Sequence, residues 1–290
     1  MTIVVDAGGP DDVWRSELQR LLPDDVLVGK DHQVDPATVE FVVHWQHPTD
    51  KILSYRNLKA LVLASAGFDH IEPEVRNAVP IVRLLDPAMS DDIALYCLSW
   101  IIHFQRNFDR FAEQQLRAEW RKHDPLFPRD YTVGVLGRGQ IGSVVLAAIA
   151  DRGFETFGWS RSNHDRTLSQ FFTDCDLVIN LLPNNEATRG LISTDLLSAL
   201  GDGVLINVGR GPTVDSDALL TALEGPLRAA VLDVFDIEPL PETDPLWSHP
   251  KTIITPHIAG RTDPSTAAPV VADNIRLLRA GHTPAGLVQP

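Results

Sequence analysis

Val133-Gly134-Val135-Leu136-Gly137-Arg138-Gly139-Gln140-Ile141-Gly142 is the stretch on which the fold turns. An apolar run, Tyr131 to Leu136, breaks into Gly137-x-Gly139-x-x-Gly142 and then into the helix-like run Ile141 to Ala150. Between a buried strand and a helix, such a triplet has a mechanism. Gly137 permits a tight turn, Gly139 lets the backbone approach a pyrophosphate, and Gly142 lets the helix pack closely on the strand. The helix N-terminus, with its unpaired N–H groups, holds the negative charge. The loop residues Arg138, Gln140 and Ile141 join the glycines as candidate dinucleotide contacts.

Outward from that stretch, strand-like and helix-like runs alternate. The strands read as Tyr131–Leu136, Glu155–Trp159, Leu177–Leu182, Val204–Asn207, Ala229–Val234 and Thr252–Ile254, with helices between them. Near-continuous apolar strands joined by helices predict a parallel sheet covered on both faces. Upstream, Thr2–Val5, Val26–Val28, Val39–Val43, Leu61–Ala64 and Ile81–Leu84 predict a smaller α/β unit. Ser90-Asp91-Asp92 reads as an N-cap opening one long helix to about Trp120, a bridge between two domains. The final helix, Pro264 to Ala280, is expected to return to the first domain. The predicted class is α/β: two Rossmann-like, doubly wound parallel-sheet domains, the nucleotide domain (96–261) inserted into a discontinuous substrate domain (1–95 and 262–290).

The chain has 290 residues, 44% of them hydrophobic, enough for two ordinary cores. A net charge of −14 argues against a nucleic-acid or anionic-membrane partner, and no apolar run approaches the ~20 residues needed to span a bilayer. Cys97 and Cys175 lie in apolar runs and are expected as buried free thiols in a reducing, cytoplasmic setting. The start, Met1 to Asp6, lacks the basic n-region of a signal peptide.

About 20 residues after the glycines, the end of the second strand separates NAD from NADP, because an acid there binds the ribose 2′-OH. This chain has Ser160-Arg161-Ser162 instead. Arg161 can fork onto a 2′-phosphate and the serines can add hydrogen bonds, so NADPH is the preferred cofactor, with NAD the alternative if Arg161 is a plain surface charge. Three further segments fall at strand ends: Asn207-Val208-Gly209-Arg210-Gly211, Asp233 to Pro239, and Thr255-Pro256-His257. An arginine, a carboxylate and a histidine from separate strand ends suit reduction of a 2-oxo acid. The arginine polarises the carbonyl and grips the carboxylate, the histidine donates the proton, and the carboxylate partners the imidazole. Taken singly, His257 reads as a structural histidine and Arg210 as a surface charge.

In this order the motifs resemble the D-isomer-specific 2-hydroxyacid dehydrogenase family: Gly137-x-Gly139-x-x-Gly142, Leu182-Pro183 with Thr188, Asn207-x-x-Arg210-Gly211, Asp233-Val-Phe-x-x-Glu238-Pro239 and Pro256-His257-Ile-Ala-Gly260. The resemblance implies that Arg210 binds and orients substrate, Glu238 pairs with His257, His257 is the general acid, and Asp233 meets the nicotinamide carboxamide. It also places Leu182, Pro183, Thr188, Val208 and Gly209 at the cofactor, and the backbone N–H groups of Ala66 and Gly67 at the substrate carboxylate. Val43-His44-Trp45, Arg83 to Met89 and Trp159-Ser-Arg161-Ser are similar to the NADPH-dependent glyoxylate/hydroxypyruvate reductase A group, in which the tryptophan closes over a small substrate. Trp45 as a plain core aromatic is the other reading. Ala94-Leu95-Tyr96 departs from the family, which usually has a small residue and then Glu there. His44-x-x-His47 lacks the further ligands of a metal site, so no metal is expected. The family also implies a homodimer through the 90–120 helix. Competing functions are a dehydrogenase of a bulkier 2-oxo acid and a nucleotide-sensing corepressor.

Overall fold

A computed structural model describes residues 1–8, 11–162 and 165–288. The chain forms two compact units, one from Met1–Met89 with Thr262–Pro290, the other from Ser90–Arg261. The first division falls at Met89/Ser90, against an expected 95/96.

In the first unit, β1 (Thr2–Asp6), α1 (Asp11–Leu21), β2 (Val26–Gly29), β3 (Val39–His44), α2 (Thr49–Ser54), β4 (Ala60–Leu63), α3 (Pro73–Ala78) and β5 (Ile81–Val82) build a parallel sheet ordered β2-β1-β3-β4-β5. Alternation along each strand divides the core between two faces. Ile3, Val5, Phe41 and Val43 pack with Trp14 and Leu18, whereas Val4, Val42 and Leu61 pack with Ile52 and Val75.

In the second unit, β6 (Thr132–Leu136), β7 (Glu155–Trp159), β8 (Leu177–Asn180), β9 (Val204–Asn207), β10 (Ala229–Leu232) and β11 (Thr252–Ile254) form a parallel sheet ordered β11-β10-β9-β8-β6-β7. Its helices are α4 (Pro87–Gln105, whose first turn belongs to the first unit), α5 (Phe108–Leu116), α6 (Gln140–Ala150), α7 (Leu168–Thr173), α8 (Thr194–Leu200) and α9 (Ser216–Glu224). Phe171, Phe172, Leu197 and Leu223 from these helices bury against Val178, Leu205 and Ala230 of the sheet. The central strands β8, β9 and β10 are buried along their whole length; β11 and most of β7, at the edges, are not. The last helix, α10 (Pro264–Arg279), packs Ala267, Ala268, Val271 and Ile275 onto the α1 face of the first sheet.

The single long helix expected over 90–120 is two helices, and it starts earlier. Asp86 caps α4 by accepting from the Ala88 N–H at 3.0 Å, and Pro87 supplies a preset φ, so Ser90 lies inside the helix rather than at its cap. The break falls at Asn107, which adopts a left-handed φ of 58°. There the Arg228 guanidinium donates to the Phe104 carbonyl (3.2 Å), to Asn107 Oδ1 (3.0 Å) and to both oxygens of Asp109 (2.7 and 2.8 Å). A partly buried cation thus binds the Phe104 carbonyl that an unbroken helix would have used itself.

Both cysteines are buried and free, and burial pushes the Cys97 thiol up to about 12. No helix among the described residues is long and apolar enough to cross a membrane.

Candidate active site

In open parallel sheets ligands sit beyond the carboxyl ends of the strands where the strand order reverses. In the second unit that point lies between β6 and β8. Gly137, with φ +101°, makes the turn after β6, and its N–H donates to the Trp159 carbonyl at 2.8 Å. A Cβ on Gly142 would lie 1.9 Å from the Gly137 carbonyl oxygen, so the third glycine lets α6 close on the turn itself rather than on the strand. A Cβ on Gly139 would meet nothing within 4 Å. The N-terminus of α6 has no side-chain cap and no acid in its first turn, so its N–H groups face outward from an uncapped, positive end. A pyrophosphate fits this cradle: donors and helix dipole are present and the side chain that would fill the space is missing.

Arg138 and Gln140 are exposed beside it, with Ile141 half-buried. The Arg138 stem crosses Gly158 of β7, where an added Cβ would lie 2.9 Å from its Cγ. Ser160, Arg161 and Ser162 follow at the end of β7, with Arg161 and Ser162 exposed. Two arginines therefore flank the β6–β7 edge of the cradle.

The loops after β8 and β9 are braced by a network that the sequence reading missed. Asn180 and Asn207 end neighbouring strands in register and are both buried. Asn180 Nδ2 donates to Asn207 Oδ1 (2.8 Å) and to Thr213 Oγ1 (2.7 Å), and its Oδ1 accepts from the Leu182 N–H (3.2 Å). Asn207 Nδ2 and Thr213 Oγ1 both donate to the Arg210 carbonyl, at 3.3 and 2.6 Å. The signal was present: two apolar strands each end in an asparagine, and a buried amide needs partners. Thr188, also buried, donates to the Pro183 carbonyl at 2.5 Å, fixing the Leu182-Pro183 loop. Gly209 is required where Val208-Gly209 passes Leu182, because a Cβ would lie 2.9 Å from that residue's backbone. Arg210 is half-buried, and its Nη1 donates to the Gly209 carbonyl at 2.7 Å.

The loops after β10 and β11 hold the histidine. His257 Nδ1 lies 2.7 Å from Glu238 Oε2, and Glu238 Oε1 accepts from the Phe235 N–H at 2.9 Å. A carboxylate can only accept here, so Nδ1 carries the proton and Nε2 is left to work. The His257 side chain is 47% exposed. Its backbone is left-handed, φ 54°, which costs an ordinary residue roughly 1–2 kcal/mol.

Asp233 holds this backbone in place. Its carbonyl accepts from the His257 N–H (2.9 Å), its Oδ1 from Thr255 Oγ1 (2.5 Å) and the Ile258 N–H (2.9 Å), and its Oδ2 from the Ala259 N–H (2.9 Å). The carboxylate expected at a nicotinamide carboxamide is 1% exposed and clamps the histidine loop.

The first unit carries the other predicted residues. Trp45 follows β3 at that sheet's own reversal point, between β1 and β3, and its ring packs 5.4 Å from the ring of His70. Ala66 and Gly67 are half-buried in the loop after β4, where Ser65 Oγ donates to the Gly67 carbonyl at 2.8 Å. His44 and His47 each have their own protein partners. His44 stacks on His70, and His47 lies 2.9 Å from the Tyr55 hydroxyl and 3.4 Å from Asp6. Leu95, the departure from the family pattern, is exposed.

A doubly wound domain with an open glycine cradle and a carboxylate-paired histidine at one strand edge is the frame of a dinucleotide-dependent oxidoreductase. Comparison with known proteins agrees. The domain family described as "D-isomer specific 2-hydroxyacid dehydrogenase, NAD binding domain" matches residues 98–259. Glyoxylate/hydroxypyruvate reductase A of Serratia proteamaculans is 36% identical over 95% of this chain and 94% of its own. A D-isomer specific 2-hydroxyacid dehydrogenase of Xanthobacter autotrophicus Py2, solved with NADPH and MES, superposes with a TM-score of 0.90 at 32% identity, covering 100% of this chain and 99% of that one. The NADPH-dependent glyoxylate/hydroxypyruvate reductase of Sinorhizobium meliloti, solved with NADP and sulfate, superposes at 0.91 with 25% identity over 99% and 98%. The chain belongs to the D-isomer specific 2-hydroxyacid dehydrogenase family, and its activity is that of an NAD(P)-dependent 2-hydroxyacid dehydrogenase.

Proposed function

We propose that the chain reduces small 2-oxo acids, glyoxylate and hydroxypyruvate first, with NADPH as the preferred donor. The observation that carries the reading is the His257–Glu238 pair, 2.7 Å apart on the strand edge that also bears Arg210 and the open Gly139 cradle. The α6 N-terminus holds the pyrophosphate, and Arg161 with Ser160 and Ser162 receives the 2′-phosphate in place of the acid that selects NAD. The bound nicotinamide supplies the hydride. Glu238 fixes the His257 ring so that Nε2 presents its proton to the carbonyl oxygen, and Arg210 stabilises the charge developing there. Asp233 acts through the histidine loop. The first unit is assigned the substrate role, with the Ala66 and Gly67 N–H groups on the carboxylate and Trp45 limiting substrate size. Related proteins named for glyoxylate and hydroxypyruvate, and solved with NADPH or NADP, support this assignment.

The test is NADPH and NADH consumption across a panel of 2-oxo acids. Glyoxylate and hydroxypyruvate should turn over fastest, with a lower KM for NADPH than for NADH. Arg161→Ala should erase a preference of roughly 10–100-fold, the value of one charge-assisted fork of about 1.5–3 kcal/mol. No turnover of any 2-oxo acid sinks the reading, as does equal use of both cofactors by the wild type for its NADP part.

The functional unit is proposed to be a homodimer. Leu95, Ile102, Phe108, Leu116, Trp120, Leu126 and Phe127 are exposed along one stretch of sequence in the second unit, apolar side chains that a dimer contact would cover. Sedimentation should show a dimer that Trp120→Asp weakens; a monomeric wild type at micromolar concentration counts against it.

A further inference from the structure

Beside the histidine loop, a hydrogen-bond chain leads away from Asp233 to Tyr96, in the Ala94-Leu95-Tyr96 segment where the chain departs from the family pattern. Tyr96, on the second turn of α4 beyond Ser90, places its hydroxyl 2.7 Å from Thr255 Oγ1. Thr255 Oγ1 is in turn 2.5 Å from Asp233 Oδ1. The direction of the chain follows from proton counting. Both Asp233 oxygens accept backbone N–H groups, from Ile258 and Ala259, so the carboxylate is an acceptor throughout. The single Thr255 proton is committed to it, and Tyr96 must therefore be the donor to Thr255. Burial, the larger influence, pushes the Tyr96 phenol up and keeps that proton in place.

We propose that Tyr96 is a positioning residue for the proton donor, acting through Thr255 and Asp233 on the backbone that carries His257. The inference rests on His257 being the general acid. Asp233 grips the loop on both sides of that residue: its side chain takes the Thr255 hydroxyl before it and the Ile258 and Ala259 N–H groups after it, and its carbonyl takes the His257 N–H. The left-handed backbone at His257 is thus held from one buried carboxylate. Thr255 fixes which way that carboxylate faces, and the Tyr96 hydroxyl fixes the rotamer of Thr255. Losing the far end of the chain leaves cofactor contacts in place and lets the imidazole drift from its productive angle, which lowers turnover without weakening binding.

Tyr96→Phe, Thr255→Val, Thr255→Ser and the Tyr96→Phe/Thr255→Val double variant test this in the full-length protein. Tyr96→Phe should lower kcat about three- to tenfold and Thr255→Val about 10–100-fold, with KM for NADPH within twofold of wild type. Thr255→Ser should restore kcat to within threefold. The double variant should be no slower than Thr255→Val, because Tyr96 has no route to the loop without that hydroxyl. Hydrogen exchange reads the same chain without catalysis: Thr255→Val should speed exchange at the Ile258 and Ala259 amides at least tenfold, and Tyr96→Phe less. A Tyr96→Phe penalty undiminished in the Thr255→Val background overturns the proposal, as does faster exchange spread along α4 with the 258–259 amides unchanged. A wild type inactive on every 2-oxo acid refutes the catalytic reading instead, and the exchange measurements still decide the chain.

Discussion

The two sheets of this protein share a strand order at their reversal points, and they treat the first turn in opposite ways. After β1, the space beside Gly8 is filled: a Cβ there would lie 2.4 Å from the Trp45 ring, and Asp12 stands in the first turn of the helix that follows. After β6, it is open: Gly139 faces space, and the helix begins with no acid and no cap. An acid at a helix start satisfies the same positive end that would hold a phosphate. One topology therefore yields one anion cradle and one aromatic plug, and the difference lies in a few side chains rather than in the fold.

Histidines at the two edges sharpen that contrast and carry the largest expected effect. His257 is exposed, carboxylate-paired and set in a left-handed backbone. His44 is buried, its Nδ1 without a hydrogen-bond partner among the described residues. His257→Ala should cost two to four orders of magnitude in kcat while NADPH still binds, the usual worth of a positioned general acid. Steady-state kinetics alongside cofactor titration check it, and a loss below tenfold would move the proton donor elsewhere.

The first unit's histidines should instead register in stability against pH. Burial, then the neighbouring His70 and His47, lowers His44 to about 3, and burial also lowers His47 against the opposing pull of Asp6. A base depressed in the folded state is neutral in both states above about 6.5 and takes up its proton only on unfolding below that, so stability falls as pH drops from about 6.5 towards 3. At pH 4.5 the His44 contribution is about 2–3 kcal/mol. His44→Phe keeps a ring against His70 and removes the titration, so its melting temperature should fall less than the wild type's between pH 7 and 4.5. Parallel curves for the two proteins would show that His44 does not set the acid limb.

What the sequence made legible divides along the same physical line. Period-2 and helical patterning and the glycine triplet depend on local spacing, and the sheets and the β6–α6 turn follow from it, whereas the pairing of Glu238 with His257 is what the family resemblance implies. The single helix over 90–120 failed because its break is made by Arg228, over a hundred residues away in sequence. Asp233 enters the sequence reading only through the family resemblance, as a nicotinamide contact; its protein partners, Thr255, Ile258 and Ala259, are set by β10 lying beside β11. Tyr96 and the Asn180–Asn207–Thr213 network escaped for that reason: a buried polar group names its need for a partner in the sequence, and only the tertiary fold names the partner.

The smallest effect is the most direct test of plug against cradle, since it makes the same change at both turns. Gly8→Ala adds a methyl at φ +73° into the Trp45 ring, so strain and clash together should cost about 1–3 kcal/mol and lower the melting temperature. Gly139→Ala adds the methyl at φ −73° into open space. The small loss of an N-cap glycine is offset by a less flexible unfolded chain, and stability should stay within about 0.5 kcal/mol. The methyl occupies the approach of the pyrophosphate, however, and NADPH affinity should fall roughly tenfold, about 1.4 kcal/mol. The two alanines thus separate a glycine kept for packing from one kept for a ligand. Unchanged NADPH affinity in Gly139→Ala would mean the phosphates sit elsewhere on the α6 N-terminus, and the openness at residue 139 would have no bearing on cofactor binding.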